Sequence, residues 1–580
     1  MVALPWLPVP DYWITQLNYI GLFGLVALGL VLLTGVGGLT SFGQAAFAGI
    51  GAYASAWLCV RWGGSPWLGL ALGLGITAGV ALLLGWITLR MSGHYLPLAT
   101  IAWSLALYYT MGNVDALGKY DGLLGVPPIS IFGLQLQDER RIYLLIWGCA
   151  LCAGIGITRL LDSRVGRVMR ALNAHRGGGI TMPEAMGAST FRYKVLMFVL
   201  AALLASLSGW LFAHMQRAVN PSPFGIKFGI EYLFMAVVGG VGHVGGAFVG
   251  AALVKIAEDQ LQTWLPVLFG TSGSYEVVVF GVVLVLVLKF APDGLWPLVE
   301  RLLPRRAPQR PDPALAALPR RCKAAAGEPL LQVQGLRKAF GGLVAVNDIS
   351  FELRAGEIVG LIGPNGAGKS TTFNLVSGVL GATAGEVRLC GQRVDRLPAR
   401  AIARRGLART FQHVKLVPEM TVLDNVALGT YLRTSRGALS AMAGTDRREE
   451  ARARAEAALQ LQRVGLGECL HEQAGNLALG QQRLVEIARA LAADPLLLLL
   501  DEPAAGLRHR EKQALAAVLK QLRAEGLSLL LVEHDMDFVM RLTDRIVVME
   551  FGTRLMEGTP AEVQASPQVR AAYLGTEEAQ

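Results

Sequence analysis

The run Gly363-Pro364-Asn365-Gly366-Ala367-Gly368-Lys369-Ser370-Thr371 has the spacing G-x-x-x-x-G-K-[ST]. Its glycines let backbone N–H groups turn inward and cradle phosphate oxygens, with help from the positive end of a following helix. In such a loop the Lys369 ammonium reaches the β- and γ-phosphates of a nucleotide, and the Ser370 hydroxyl contributes to Mg²⁺. A second constellation lies further on, where the apolar run Leu496 to Leu500 ends in Asp501-Glu502-Pro503. Asp501 is suited to hold Mg²⁺ through water, and Glu502 to polarise an attacking water. Together these residues predict hydrolysis of ATP.

Each motif needs an element to position it. Ile358 to Ile362 reads as a strand leading into the glycine loop, and the chain from Thr371 reads as a helix. Leu496 to Leu500 suits a buried parallel strand, and ligands bind at the carboxyl ends of such strands. The chain from residue 329 to 580 therefore predicts an α/β P-loop NTPase.

The residues before it are of another kind. The chain has 580 residues, 53% hydrophobic and only 17% charged, with a mean hydropathy of +0.44. No Asp, Glu, Lys or Arg stands between Asp11 and Arg61, nor from Trp62 to Leu89, Met91 to Val114, Val195 to Gln216 or Tyr232 to Val254. About 20 apolar residues cross a bilayer, so these runs predict an all-α polytopic membrane domain over residues 1–303. Apolar segments lie near 13–34, 40–60, 66–89, 95–112, 142–158, 195–216, 228–240, 244–265 and 275–291. The loop from Arg159 to Lys194 carries seven Arg/Lys against Asp162 and Glu184, which marks it as cytoplasmic. With the ATP-binding part also cytoplasmic, the glycine-split pair 228–240 and 244–265 counts best as two short spans. Residues 304–328, rich in Pro and Arg, predict an extended, poorly packed tether on an anionic membrane surface.

The net charge of +10 suggests topology and lipid contact rather than nucleic-acid binding, because much of the Arg flanks apolar spans. Cys149 and Cys152 form a C-x-x-C inside an apolar run and suit packing better than metal or redox chemistry. The N-terminus lacks a basic region ahead of its first apolar segment, so no cleaved signal peptide is expected.

From about Leu330 to Gly575 the chain resembles an ABC transporter nucleotide-binding domain. Leu477-Ala478-Leu479-Gly480-Gln481 stands where that family has its signature L-S-G-G-Q, with Ala478 for the serine and Leu479 for the first glycine. The resemblance implies that Gln412, in Thr-Phe-Gln-His, senses Mg²⁺ and couples to the permease. It also implies that His534, in Val-Glu-His-Asp, contacts the γ-phosphate, and that Phe340 stacks on adenine. Two cassettes of this family sandwich two ATP molecules, so the chain needs a second cassette.

The membrane half resembles the LivM permease of branched-chain amino acid importers through Leu39-Thr-Ser-Phe-Gly-Gln-Ala-Ala-Phe47, Asp121-Gly-Leu-Leu-Gly-Val-Pro127 and Ile230-Glu-Tyr-Leu-Phe-Met-Ala-Val-Val-Gly-Gly240. The cassette is similar to LivG, with Phe340-Gly-Gly-Leu-Val-Ala-Val and Glu557-Gly-Thr-Pro-Ala-Glu-Val. The resemblance implies an alternating-access importer subunit at the inner membrane. Its partners would be a LivH-like permease, a LivF-like ATPase and a periplasmic substrate-binding protein, and its cargo a small-molecule substrate. A coupling helix is expected at about Pro183 to Met186, ending at Gly187. The alternative is a homodimeric half-transporter that exports, which the permease motifs disfavour.

Overall fold

The computed structural model describes residues 6, 8–90, 95–173, 179, 181–269, 276–291, 293–302, 311–312, 315 and 318–574. Of the expected tether, Pro304, Arg305, Arg306, Pro308, Arg310 and Pro313 lie outside these residues, as do 174–178 and 180 of the basic loop. The chain divides into two compact units. One comprises Met1–Asp162 and Phe191–Ala307, the other Ser163–Thr190 and Pro308–Gln580. The basic-loop segment expected within the 1–303 domain thus packs with the second unit.

The first unit is helical. α1 (Asp11–Leu30) runs on into a π-helical turn, Val31–Val36, and is followed by α2 (Gln44–Trp62), α3 (Pro66–Thr88) and α4 (Tyr95–Asn113). Short strands β1 (Leu123–Leu124), β2 (Ser130–Ile131) and β3 (Leu134–Gln135) precede α5 (Glu139–Leu161). Beyond α6 (Arg164–Ala171) and α7 (Thr181–Ala185), which belong to the second unit, come α8 (Thr190–Gln216), β4 (Ala218–Val219), α9 (Ile226–Gly240), α10 (Val244–Phe269), α11 (Glu276–Phe290) and α12 (Trp296–Glu300). A helix occupies each of the nine apolar segments named above.

α1 is buried continuously from Ile20 to Leu30 and packs on α5, α9 and α10, so it forms the middle of this unit. α3 buries only 28% of its apolar window and presents the rest outward. Such an all-round apolar helix suits lipid rather than water. α9 and α10 bend by 118° at their break and pack on each other. Their closeness depends on glycine, because a Cβ on Gly239 would stand 1.9 Å from the Gly246 carbonyl oxygen. The 15 residues of α9 rise about 22 Å, short of a hydrocarbon core of about 30 Å. Cys149 and Cys152 are free thiols on α5.

In the second unit, β5 (Pro329–Phe340), β6 (Leu343–Arg354), β8 (Ala384–Leu389) and β9 (Gln392–Arg393) form an antiparallel sheet in the order β6-β5-β8-β9. A second sheet contains β7 (Ile358–Ile362), β10 (Leu407–Arg409), β11 (Leu497–Asp501), β12 (Ser528–Val532), β13 (Arg545–Glu550) and β14 (Thr553–Gly558). Its order is β10-β11-β12-β7-β13-β14, parallel except at the β14 edge. β7, β11 and β12 are buried at every position. Continuous apolar runs are what a parallel sheet covered on both faces requires. Beside α6 and α7, its helices are α13 (Lys369–Val376), α14 (Ala399–Arg404), α15 (Val422–Ala427), α16 (Ala438–Ala443), α17 (Arg447–Arg463), α18 (Leu479–Ala492), α19 (His509–Ala524), α20 (Met536–Leu542), α21 (Pro560–Ala565) and α22 (Pro567–Leu574).

From Leu318 to Lys323 the expected tether is packed rather than loose. Leu318 is buried, and Arg433 donates to the Leu318 and Pro319 carbonyls at 3.0 and 3.2 Å. Arg321 donates through its backbone to Asp494 and through its guanidinium to the Arg404 carbonyl at 3.0 Å. Lys323 donates to the Glu525 carbonyl at 3.1 Å. A Pro/Arg-rich segment is disfavoured as helix or strand, yet its carbonyls still bind a guanidinium fork wherever one stands opposite.

Candidate functional site

The glycine loop joins β7 to α13. Gly363 has φ +152° and Gly368 φ +91°. A Cβ on Gly363 would stand 2.1 Å from the Met549 carbonyl oxygen, and one on Gly368 2.5 Å from that of Ala345. The loop can wrap closely only because both positions lack a side chain. Lys369 is 9% exposed and donates to the Gly363 and Pro364 carbonyls at 2.7 and 2.9 Å. Burial holds its ammonium pKa below the ordinary lysine value, and Glu502 partly restores it. Ser370, Asn365 and Gly366 are exposed, and Thr371 is half-buried. The Ala367 N–H closes a turn onto the Pro364 carbonyl at 3.2 Å, and the Ser370 hydroxyl stands on an exposed residue beside it.

β11 and β7 flank β12, so the carboxylates at the end of β11 come to the same sheet edge as the loop. Asp501 is 5% exposed, and its Oδ1 is buried without a hydrogen-bond partner. Burial raises its carboxyl pKa, opposed by Arg409, whose guanidinium lies 3.7 Å away. Arg409 also donates to Asn374 Oδ1 at 2.9 Å and Ser377 Oγ at 2.6 Å. Burial lowers the Arg409 pKa to about 10. Glu502 adopts φ +46°, a left-handed turn that costs a non-glycine residue about 1–3 kcal/mol. Its Oε2 accepts from Gln412 Nε2 at 3.3 Å and lies 4.0 Å from His534 Nδ1. Lys369, Gln412, Asp501, Glu502 and His534 are thus gathered at one edge.

Asp501 Oδ1, with no partner of its own, and the open Ser370 hydroxyl suit a hydrated divalent cation, which prefers a carboxylate, hydroxyls and retained waters. The other expected residues lie elsewhere. Leu477 to Gln481 open α18, where Gly480 stands against Glu511 and Leu507, and the Gln481 side chain accepts from the Ala478 N–H at 3.2 Å. Phe340 ends β5, is 46% exposed and lies 5.1 Å under the Lys338 ammonium. None of its described contacts reaches the glycine loop.

Several residues were missed at the sequence level. Glu533 is fully buried, and its carboxylate accepts from the backbone N–H groups of Ala504, His534 and Asp535 at 2.7, 3.0 and 3.5 Å. It ties the loop after Glu502 to the loop carrying His534. Burial raises its pKa, and the three N–H donors oppose this. Arg483 on α18 donates to the Phe411 carbonyl at 2.7 Å and also to that of Gln412. Glu486 accepts from the Lys415 N–H at 2.9 Å, while Arg489 donates to the Lys415 carbonyl at 2.6 Å. The Gln412 segment is therefore clamped by α18. The i, i+3, i+6 spacing of Arg483, Glu486 and Arg489 was a readable signal of one helix face.

The basic-loop segment meets the same segment. Lys415 Nζ donates to Thr181 Oγ1 at 2.8 Å. α7 begins at Thr181, two residues before Pro183, since proline in a first turn forfeits no helical N–H bond. Gly187, at φ +88°, ends it against Leu432. Arg167 on α6 is 1% exposed and pairs with Glu450 at 2.7 Å, and the Arg164 N–H donates to the same carboxylate at 2.6 Å.

Comparison with known proteins finds three family models in order along the chain. The branched-chain amino acid transport system permease component matches residues 12–288. The ABC transporter model matches 346–505, and the branched-chain amino acid ATP-binding cassette transporter model matches 553–579. The chain is 47% identical over 251 residues to the high-affinity branched-chain amino acid transport ATP-binding protein LivG of Salmonella typhimurium, covering 43% of this chain and 98% of that protein. Its Escherichia coli K12 counterpart is 46% identical with the same coverage. BraF of Pseudomonas aeruginosa is 44% identical over 250 residues, again 43% of this chain and 98% of the relative. A solved ATP-binding cassette of an ABC transporter in its ADP conformation aligns at 29% identity and TM-score 0.38, over 43% of this chain and 99% of that one.

Proposed function

This chain belongs to the branched-chain amino acid ABC transporter family, with permease and ATP-hydrolysing cassette in one polypeptide, and we propose that it is half of an ATP-driven importer in the inner membrane. The cargo is leucine, isoleucine, valine or a related small solute, the class stated in the names of its relatives. The other half is a LivH-like permease and a LivF-like ATPase, fed by a periplasmic substrate-binding protein.

The observation that carries this reading is the gathering of Lys369, Gln412, Asp501, Glu502 and His534 at one sheet edge of a chain whose other unit is apolar helices. In the mechanism, residues Gly363 to Gly368 bind the triphosphate through backbone N–H groups, with Lys369 on the β- and γ-phosphates and Phe340 beside adenine. Thr371 continues the helix start behind them. Ser370, Asp501 and Gln412 would hold Mg²⁺, which would supply neutralisation of the charge developing on the phosphate. Glu502 orients the attacking water and receives its proton, while His534 donates to the γ-phosphate. Leu477 to Gln481 complete the site of the partner cassette through the backbone of Gly480. Ala478 offers no hydroxyl there, which supports a weaker contact from this chain. Closure of the cassettes pulls on Gln412 and Lys415 and, through Thr181, on the coupling segment.

The test is reconstitution with those partners in liposomes loaded with ATP. Glu502→Gln and Lys369→Ala are each expected to lower leucine accumulation on the order of 10²-fold or more, the scale of losing a group aligned with the transition state. Accumulation at the wild-type level in both variants sinks the reading.

A further inference from the structure

A break in a helix at membrane depth leaves backbone donors and acceptors that lipid cannot satisfy, so such breaks are buried in protein or line a cavity. Two breaks meet in the helical unit. The first is the π-helical turn Val31–Val36 with the irregular residues up to Gly43, where α2 starts. The second is the turn between α9 and α10. A Cβ on Gly35 would stand 2.5 Å from the Gly242 nitrogen, so the two broken backbones touch.

The start of α2 is the unusual part. Its N-cap is Gly43, no side chain caps it, and residues 43 to 46 are all buried. The Gly43 N–H donates to Ser41 Oγ at 3.4 Å, which leaves the N–H groups of Gln44, Ala45 and Ala46 and the positive end of the helix dipole to be answered. Gln44, its first residue, is 0% exposed, yet neither its Nε2 nor its Oε1 has a hydrogen-bond partner. Burying an unpaired amide costs about 1–3 kcal/mol, so a polar group that reaches Gln44 is favoured by an energy of that order.

α4 supplies the opposite wall. Its buried stripe is Leu96, Thr100, Ser104, Met111 and Gly112. Gly43 stands against Thr100, whose Oγ1 accepts from the Phe42 N–H at 3.2 Å, and Gly49 stands against Met111. Ser104 lies between these contacts on the same stripe, and its buried hydroxyl also has no partner.

The structure assigns a carboxylate-binding station of the translocation path to the N-terminus of α2, formed by its first-turn N–H groups with Gln44 and Ser104. Helix N-termini bind anions without a charged side chain, which suits a station that must hold a solute and then release it. The Gln44 carbonyl adds an acceptor for a donor group on the same solute, such as an α-ammonium. This inference rests on the importer reading for its cargo but not for its site.

The experiment has two arms on the full chain. In the first, the chain is reconstituted with its partners, and initial uptake of leucine is compared for wild type, Gln44→Asn, Gln44→Leu and Gln44→Glu. Uptake is expected to fall about tenfold in Gln44→Leu and further in Gln44→Glu, with Gln44→Asn retaining at least a third. Wild-type uptake in Gln44→Leu and Gln44→Glu overturns the station while leaving the importer reading intact.

The second arm needs no known cargo and serves if Gln44 variants fail to fold or wild type moves no leucine. Ser104→Cys, a near-isosteric change, is labelled in membranes with anionic and cationic methanethiosulfonate reagents of similar size. The anionic reagent is expected to react faster, relative to the cationic one, than it does with free cysteine, by about threefold or more. A ratio at or below that of free cysteine, or no labelling at all, overturns the station and leaves the gap to a structural water.

Discussion

Asp501 and Glu502 are neighbours in sequence and opposites in setting. Asp501 is the last residue of a buried strand, with Arg409 beside it and one oxygen free. Glu502 follows in a left-handed turn that takes its carboxylate towards Gln412 and His534. Ala478 is the N-cap of α18 and offers that helix no side-chain acceptor. Ala478→Ser restores an N-cap worth about 0.5–2 kcal/mol, so the cassette transition in calorimetry of the full chain should move up by a few degrees. Asp535 caps α20 through the Phe538 N–H at 3.1 Å and accepts from Lys512, a bond that holds its pKa below the ordinary aspartate value of 3.8. A depressed carboxylate stabilises the fold above its unfolded pKa and loses that contribution as pH falls through the folded value. Lys512→Met should therefore loosen the first turn of α20 at pH 7 by about 0.5–1 kcal/mol. The difference from wild type should shrink as pH falls through that depressed value and vanish once Asp535 is protonated in the folded state. Hydrogen exchange of that turn, wild type against variant at each pH, reads this directly.

At the scale of elements, α18 serves two ends. Its start carries Leu477 to Gln481, proposed above to complete the partner's site, and its next turns clamp the Gln412 segment through Arg483, Glu486 and Arg489. The three side chains are 7%, 1% and 1% exposed. Charges so buried hold a geometry more than they add stability. A parallel case is Arg167 on α6, itself buried, which pairs with the partly buried Glu450 on α17. Glu450→Ala leaves the Arg167 charge buried and removes the acceptor of the Arg164 N–H, a loss on the order of 3–5 kcal/mol where it acts. Leucine moved per ATP hydrolysed in liposomes should fall severalfold, while a variant with the wild-type ratio shows that this pair does not transmit the stroke.

At the scale of the whole molecule, fusion makes one chain supply two components, and the joining segment is partly structural. Arg433 reaches the Leu318 and Pro319 carbonyls, the Ala492 carbonyl at 3.0 Å and Glu456 at 3.1 Å, so it fastens the segment to α17 and α18 together. Arg433→Ala should release it. Limited trypsin digestion should then cut at Arg320 and Arg321 several times faster than in wild type, with equal rates counting against the strap.

The sequence by itself determined what depends on neighbours in the chain. A glycine loop between a strand and a helix, an acidic pair closing an apolar strand, and long uncharged runs are local patterns with local physical causes. They revealed the ATP chemistry, the nine apolar helices and the family. Only the tertiary structure decided what depends on residues far apart. Glu533 reads as one more acid beside His534 until burial brings three backbone donors to it. The last residues of the tether read as loose because composition reports propensity, not the Arg433 fork more than a hundred residues away. Gln44 reads as a polar residue in an apolar run, and only the packing of the other helices around α2 leaves its amide buried without a partner. Propensity and motif chemistry are written in short windows, whereas burial and pairing are fixed by which distant surfaces meet.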